Sequence, residues 1–351
     1  MRSRSLSILL LAVAIATVVI AARRPTTSSQ PLTVLITVVD STARYPLANA
    51  DVVDVASGQH RFTDEQGAVT FTWPADGRLR LRVREVGYQP RQLTLEQSVA
   101  AGATTLAMNK VAYVLSRVLA TSRCSTSDTT TRDLSVAVLD QLKQGAEKYI
   151  EFRKTYPFEV TVERRTAAVP ATGPVKRIIV NKEKFRSDNW ESRYKPGDVI
   201  EWSRGVYTVP VLFLSTLADS VFWEHHCFIA RGFEPYLGTR VVRLEFSPTK
   251  DVTGPDYFGS ALLDSATSYL VRIDFHLANA KRDNGPTRMD GYTTFTSPSP
   301  FVIMPDSTLA VWWERDPEKG NWGKPDFAQS LGVDGLKYRR QTPPGYPATK
   351  Q

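Results

Sequence analysis

Apolar residues alternate with polar ones along most of the first hundred positions. Val34, Ile36 and Val38 alternate with Leu35 and Val39, so this run carries apolar groups on both faces. Val69, Phe71 and Trp73 alternate with Ala68, Thr70 and Thr72, and Leu79, Leu81 and Val83 with Arg80, Arg82 and Arg84. Successive side chains of a strand point to opposite sides, so each run predicts a strand, the last two with one buried face. Ala50, Val52, Val53 and Val55 follow a Pro46-Leu47 turn, Ser57-Gly58 is a second turn, and Leu93 and Leu95 end a further strand. Short strands at intervals of about ten residues, with turn residues between them, predict an all-β sandwich.

The period changes after Arg132. Leu134, Val138 and Leu142 fall on one stripe, with Leu139, Ala146, Tyr149 and Ile150 beside it, which is helical spacing over 133–151. Thr130 and Asp133 stand where a capping box opens a helix. Alternation then returns at Phe158, Val160 and Val162, and a strand is expected over Val175–Asn181. Val206–Leu214 reads as a buried strand, and Ser215–Glu224 as a short helix leading into His226-Cys227-Phe228. From there to Leu277 apolar runs alternate with Pro, Gly and Asp, the writing of an antiparallel sheet. Leu270, Arg272 and Asp274 are expected on one face, with Val271, Ile273 and Phe275 on the other. Further strands are expected near Tyr292–Thr296 and Thr308–Arg315.

Composition adds the compartment. Arg2 and Arg4 precede an uncharged run from Leu6 to Ala22 that ends in small residues, the pattern of a secretory signal. Arg23 and Arg24 follow at once, so an uncleaved anchor stays open as the alternative. Cys124 and Cys227 are the two cysteines of the chain. In an exported protein an even count predicts a Cys124–Cys227 disulfide. The formal net charge of +8 is spread over 351 residues without a concentrated patch. Nucleic acid is therefore not an expected partner, whereas an anionic envelope surface is.

Asp40, Pro46-Leu47, Ala50, Val52, Thr63-Asp64, Gly67, Phe71 and Gly87-Tyr88 together resemble the carboxypeptidase regulatory-like domain. The resemblance covers about residues 32–110 and implies a prealbumin-like (transthyretin-like), seven-stranded, non-catalytic sandwich. Such modules stand at the front of many bacterial envelope proteins. The second half resembles uncharacterised bacterial secreted proteins, on Cys124, His226-Cys227-Phe228, Gly259 and Leu263-Asp264. Gly259, Asp264, Thr267 and Leu270 also follow a phrase common in the curved sheets of periplasmic lipoprotein carriers. That resemblance implies no activity.

His60, His225, His226 and His276 complete no zinc-peptidase motif, and no nucleophile elbow or phosphate-cradling glycine loop occurs. Asp251, Asp256, Asp264 and Asp274 could pair as acids or bind calcium, but each stands where aspartate serves turn chemistry. Arg78, Arg80, Arg82 and Arg84 form a basic stripe, read as a solvated face paired with acidic neighbours or as a contact for anionic glycan or lipid. Trp190, Trp202, Trp312, Trp313 and Trp322 either stack on sugars or seal the rim of a β core.

The reading is a mainly β protein: a prealbumin-like seven-stranded sandwich, then an antiparallel sheet domain with one packed helix. The divisions are a signal at 1–24, a linker at 25–31, the sandwich at 32–110, the second domain at 111–315 with its helix at 133–151, and a Pro/Gly-rich tail at 316–351. The expected role is a non-enzymatic binding or assembly module of the periplasm or exterior, peripheral to the membrane at most. Its partners would be envelope glycan, lipid or protein. No catalytic, cofactor or metal residue is assigned. An accessory or divergent hydrolase acting on peptides or glycans is the alternative.

Overall fold

The computed structural model describes residues 32–99, 102–111, 132–170, 174–175, 177–187, 194–203, 206–209, 212–280, 287–299, 302–313, 327–340 and 342–343. The signal and linker, most of the 111–121 segment, Cys124, Thr130, Trp190 and Trp322 lie outside them.

The chain is mainly β. Its first seven strands are β1 (Thr33–Asp40), β2 (Asp51–Asp54), β3 (Gln59–Phe62), β4 (Ala68–Thr72), β5 (Arg78–Arg84), β6 (Arg91–Glu96) and β7 (Ala103–Met108). They form a three-stranded sheet ordered β4-β1-β7 and a four-stranded sheet ordered β3-β2-β5-β6. Val34, Ile36 and Val38 from one sheet and Val52, Leu79, Leu81 and Val83 from the other fill a single core. The alternating residues meet there because the face of each strand that carries them is apolar and leaves water.

Polar residues fix the turns of this sandwich. Asp40 accepts hydrogen bonds from the Thr42 and Ala43 amides at 2.8 and 2.6 Å and from the Tyr88 hydroxyl at 2.9 Å. The Ala43 amide is the main influence holding the Asp40 carboxyl below its ordinary range. Thr63 donates from its hydroxyl to the Leu47 carbonyl at 2.5 Å and accepts from the Ala50 amide at 2.8 Å. Gly67 has φ +69°, and a Cβ there would lie 2.5 Å from the Val38 carbonyl oxygen, so this turn requires glycine.

Helix α1 (Arg132–Thr155) runs four residues beyond the stretch expected from spacing, because Phe152 and Tyr156 continue its apolar stripe. Two short helices follow, α2 (Leu214–Leu217) and α3 (Ser220–Glu224). The remaining strands are β8 (Phe158–Ala168), β9 (Ile179–Arg186), β10 (Glu201–Ser203), β11 (Val206–Thr208), β12 (His226–Tyr236), β13 (Thr239–Pro248), β14 (Asp256–Asp264), β15 (Leu270–Ala278), β16 (Arg288–Ser299), β17 (Val302–Trp313) and β18 (Phe327–Tyr338). Nine of them form one antiparallel sheet ordered β12-β13-β14-β15-β16-β17-β18-β8-β9, while β10 and β11 pair apart. α1 packs against β12, β13 and β17, and its buried side chains join Val160, Leu244, Ile273 and Phe275 in a second core.

Four expectations need correction. The tail expected over 316–351 is not all tail: Phe327–Tyr338 is a strand inside the sheet, between β17 and β8. A bulge between Val333 and Gly335 shifts the pairing and disguises its alternation. Leu270 does not share a face with Arg272; a bulge at Leu262/Leu263 pairs Leu263 with Leu270 and Leu262 with Arg272, so Leu270 joins Ile273 in the core. The strand expected at Val175–Asn181 is β9, which lies further along. Val206–Leu214 is not one strand: β11 ends at Thr208 and α2 begins at Leu214.

The sandwich meets α1 through the outer face of its four-stranded sheet. Phe62 is buried there against Phe152, with ring centroids 5.8 Å apart, and Tyr156 lies 6.1 Å away. Arg84 bonds Asp51 at 2.6 Å and also reaches Glu147 of the helix. Lys148 bonds Glu85 at 2.7 Å with both side chains 7% exposed. The Gly87 amide donates to Gln141 Oε1 at 2.6 Å. Arg84 thus leaves the basic stripe for an interior ion pair, while Arg78 lies 3.6 Å from Glu96 in the open.

At Gly259 the backbone of β15 leaves β14 no room for a side chain. A Cβ there would lie 1.9 Å from the Asp274 carbonyl oxygen. Gly259→Ala must therefore displace backbone in the middle of the sheet, and a urea melt should show about 1–3 kcal/mol of lost stability, the range for overpacking. An unchanged midpoint would mean that the two strands are free to slide.

Candidate functional site

The clearest polar constellation lies where α3 enters β12. Asp219 caps α3 by accepting from the Val221 amide at 3.0 Å. This short helix delivers His225 and His226 in succession. His225 turns outward, its Nδ1 placed 2.9 Å from the Val221 carbonyl oxygen. His226 turns inward and is buried. Its Nδ1 lies 3.0 Å from the Phe222 carbonyl oxygen and its Nε2 2.9 Å from that of Tyr257. The Phe222 ring stacks on the imidazole at 4.0 Å between centroids, and Phe228 and Phe246 complete the surround.

Asp256, at the start of β14, sits beneath this imidazole. It is fully buried, and its Oδ1 lies 3.6 Å from His226 Nε2. Tyr194 donates its hydroxyl to Asp256 Oδ2 at 2.8 Å, the Gly197 amide donates to the same oxygen at 3.0 Å, and the Tyr257 amide donates to Oδ1 at 2.7 Å. Burial pushes the His226 imidazole below its ordinary value, against the pull of Asp256 and the two carbonyls. Burial likewise pushes the Tyr194 phenol upward, and Asp256 pushes it the same way.

Above the buried pair is an open depression of about 420 Å³ lined by Pro196, Gly197, His225, Asp251, Thr253 and Gly254. Asn279 braces its wall by donating to the Val252 carbonyl at 2.9 Å. The lining brings together one imidazole, one carboxylate and several backbone groups. Such a surface can offer hydrogen bonds to a polar partner. Among the described residues no three His, Cys, Asp or Glu side chains come together to hold a metal.

The other candidates scatter. His276 bonds Asp290 at 2.7 Å on the opposite face of the sheet, where Arg288 also reaches Asp290 and Phe258 lies 5.0 Å from the imidazole. His60 joins Asp51 at 2.8 Å at the junction with α1. Asp264 organises the turn before β15, accepting from Ala266 and Thr267 amides at 3.0 and 2.8 Å, and Asp274 accepts from Arg272 at 2.6 Å. Trp312 stacks on Phe327 at 5.8 Å, and Trp313 is buried under Arg288 at 4.4 Å. Both therefore pack rather than stand open. Trp202 lies in β10.

Cys227 is buried in β12, and the described residues include no free thiol. Cys124 lies outside them, so its pairing with Cys227 is carried forward as a proposal. Tyr194 and Gly197, which hold Asp256, were not singled out as site residues. A tyrosine shortly before Pro196-Gly197 is by itself only the writing of a turn.

No family model matches the chain, and no curated protein matches it. Among solved structures it is similar to a putative outer membrane lipoprotein-sorting protein domain from Vibrio parahaemolyticus, at 13% identity and a TM-score of 0.31, over 56% of this chain and 94% of that one. It is also similar to a DUF1329 family protein from Desulfovibrio piger, at 10% identity and a TM-score of 0.34, over 59% and 94%. Likenesses this distant carry no functional argument. No helix among the described residues is long and apolar enough to cross a membrane.

Proposed function

We propose that this chain is an exported, non-enzymatic binding or assembly module of the cell envelope. Its first part is a carboxypeptidase regulatory-like sandwich, and it binds through surfaces rather than an interior chamber. The observation that carries this reading is the filling of the large sheet. Phe152, Phe158, Phe222 and Phe275 are wholly buried, and the void between α1 and Tyr269 measures about 10 Å³. A space of that size admits about one water molecule, not a lipid or a sugar. Among the described residues, the open depression beside His225 and the outer sheet faces are the surfaces this reading assigns to recognition. The partner is envelope glycan, lipid or protein.

The full chain, expressed with its leader in a bacterial host, should appear in the envelope fraction. Cys124 and Cys227 should resist alkylation until reduced. Mass spectrometry should find an envelope component co-purifying. Retention in the cytosol with freely alkylating thiols would sink the export reading, and turnover of a peptide or glycan by the purified protein would sink the non-enzymatic one.

A further inference from the structure

We propose that Arg80 and Arg82, side by side on the outer face of the four-stranded sheet, bind a phosphate group. The four arginines of β5 alternate along that face, and their cross-strand partners differ. Arg78 stands opposite Glu96 and lies 3.6 Å from its carboxylate. Arg84 stands opposite Asp51 and bonds it at 2.6 Å. Between them, Arg80 faces Thr94, and Arg82 faces Gln92 on one side and Val53 on the other. Among the described residues no carboxylate pairs with either guanidinium, and the acids diagonal to them, Glu96 and Asp51, are held by Arg78 and Arg84. The stripe is thus neutralised at both ends and left doubly charged in the middle.

Arg82 is half-buried, and its Nε is shielded from water and donates to no acceptor. A charged donor shut away in this manner costs stability, and an anion that enters supplies the acceptor the chain withholds. Residues two apart on a strand are about 6.7 Å apart, so both long side chains can close on one group. Thr94 and Gln92 are exposed beside them, and each can donate a further hydrogen bond. A carboxylate has two oxygens in one plane, which a single guanidinium fork satisfies. Two forks with a hydroxyl and an amide instead suit an anion with three or more oxygens pointing in different directions. Phosphate is that group, whether free or carried as the headgroup of an anionic lipid. The site gives a chemistry to one outer sheet face and rests on the envelope reading only for the source of the phosphate.

The test uses the full exported chain at a fixed ionic strength of about 0.15 M, where diffuse attraction is screened. Calorimetric titration with inorganic phosphate should give one saturable site. Arg82→Gln and Arg80→Gln should each weaken it about tenfold, the loss of one charged hydrogen-bonding partner. Arg78→Gln removes the same charge from the same strand but should change the affinity less than about twofold, because Arg78 answers Glu96. Thermal melts without phosphate should coincide for all three variants and the native chain. Vesicles of phosphatidylglycerol, with phosphatidylcholine as the neutral control, identify the source. Sedimentation with the first alone, lost in Arg82→Gln, makes it a lipid headgroup, whereas phosphate binding without sedimentation makes it a soluble phosphate. Binding of neither phosphate nor phosphatidylglycerol, acetate bound as tightly as phosphate, or an equal loss in Arg78→Gln and Arg82→Gln would overturn the proposal. Cell fractionation tests export by itself, so either reading can fail without the other.

Discussion

Lys148→Met is expected to lower stability by about 3–5 kcal/mol, the cost of leaving a buried charge without its partner. Lys148 and Glu85 bond at 2.7 Å with side chains 7% exposed, one from α1 and the other from the end of β5. Methionine nearly preserves the volume, so the loss reports charge rather than packing. Glu85→Leu combined with Lys148→Met should recover most of it, because two apolar groups leave nothing unpaired. The pH dependence separates this account from simple repacking. Burial holds the Glu85 carboxyl above its ordinary value of 4.5, with Lys148 opposing. A raised folded-state value means that the native protein keeps the proton longer. The associated stability is present below the unfolded value and is lost as pH rises through the folded one. Without Lys148 the value rises further, so the deficit should be smaller near about pH 5 than near about pH 8. Urea melts at the two pH values measure it, and an equal deficit at both would exclude an unpaired Glu85.

The same junction marks how far the sequence can be read. β1, β4 and β5 were legible because each alternates cleanly against one core. α1 was legible because Leu134, Val138, Leu142 and Ala146 share a stripe. Within the basic stripe, nothing local separates Arg84 from Arg80. Arg84 is drawn inside by Asp51 and by Glu147, the latter 63 residues away. Phe62 ends a short strand and looks like a sandwich residue, yet it serves the other core. β18 was missed because Gly332, Gly335 and the bulge break its period, and its partner β8 is distant in sequence. Period and propensity are local properties, whereas these assignments were made by neighbours far along the chain.

The polar site was half legible for the same reason. His225 and His226 were visible as adjacent residues that complete no ligand motif; the structure leaves His225 half-buried at the surface and buries His226. Asp256 was grouped with three other aspartates as turn chemistry. Asp264 does hold a turn, but Asp256 is wholly buried and holds a tyrosine hydroxyl and a loop amide across a gap of about sixty residues. No spacing rule distinguishes them, because the difference lies in what the second half of the fold places above each one.

Asp256→Ala should therefore be among the most damaging changes in the second half of the chain. It removes two hydrogen bonds to a buried carboxylate, from the Tyr194 hydroxyl and the Gly197 amide, each worth about 1.5–3 kcal/mol, and a combined loss of about 3–5 kcal/mol is expected. The wall of the depression should loosen with it, since Gly197 lines that space. Acid should sharpen the effect. The folded-state value of His226 is lowered from 6.5, so the unfolded chain takes up the proton first. Stability from the neutral imidazole is present above about 6.5 and is lost as pH falls below it. Asp256 opposes that lowering, so its removal drops His226 further and steepens the acid loss. His226→Gln, which carries no titrating ring, should flatten the slope in this range. Melts from about pH 7 to about pH 5 on the three proteins decide the matter. Parallel slopes for the native chain and His226→Gln would show that this imidazole does not govern the acid response.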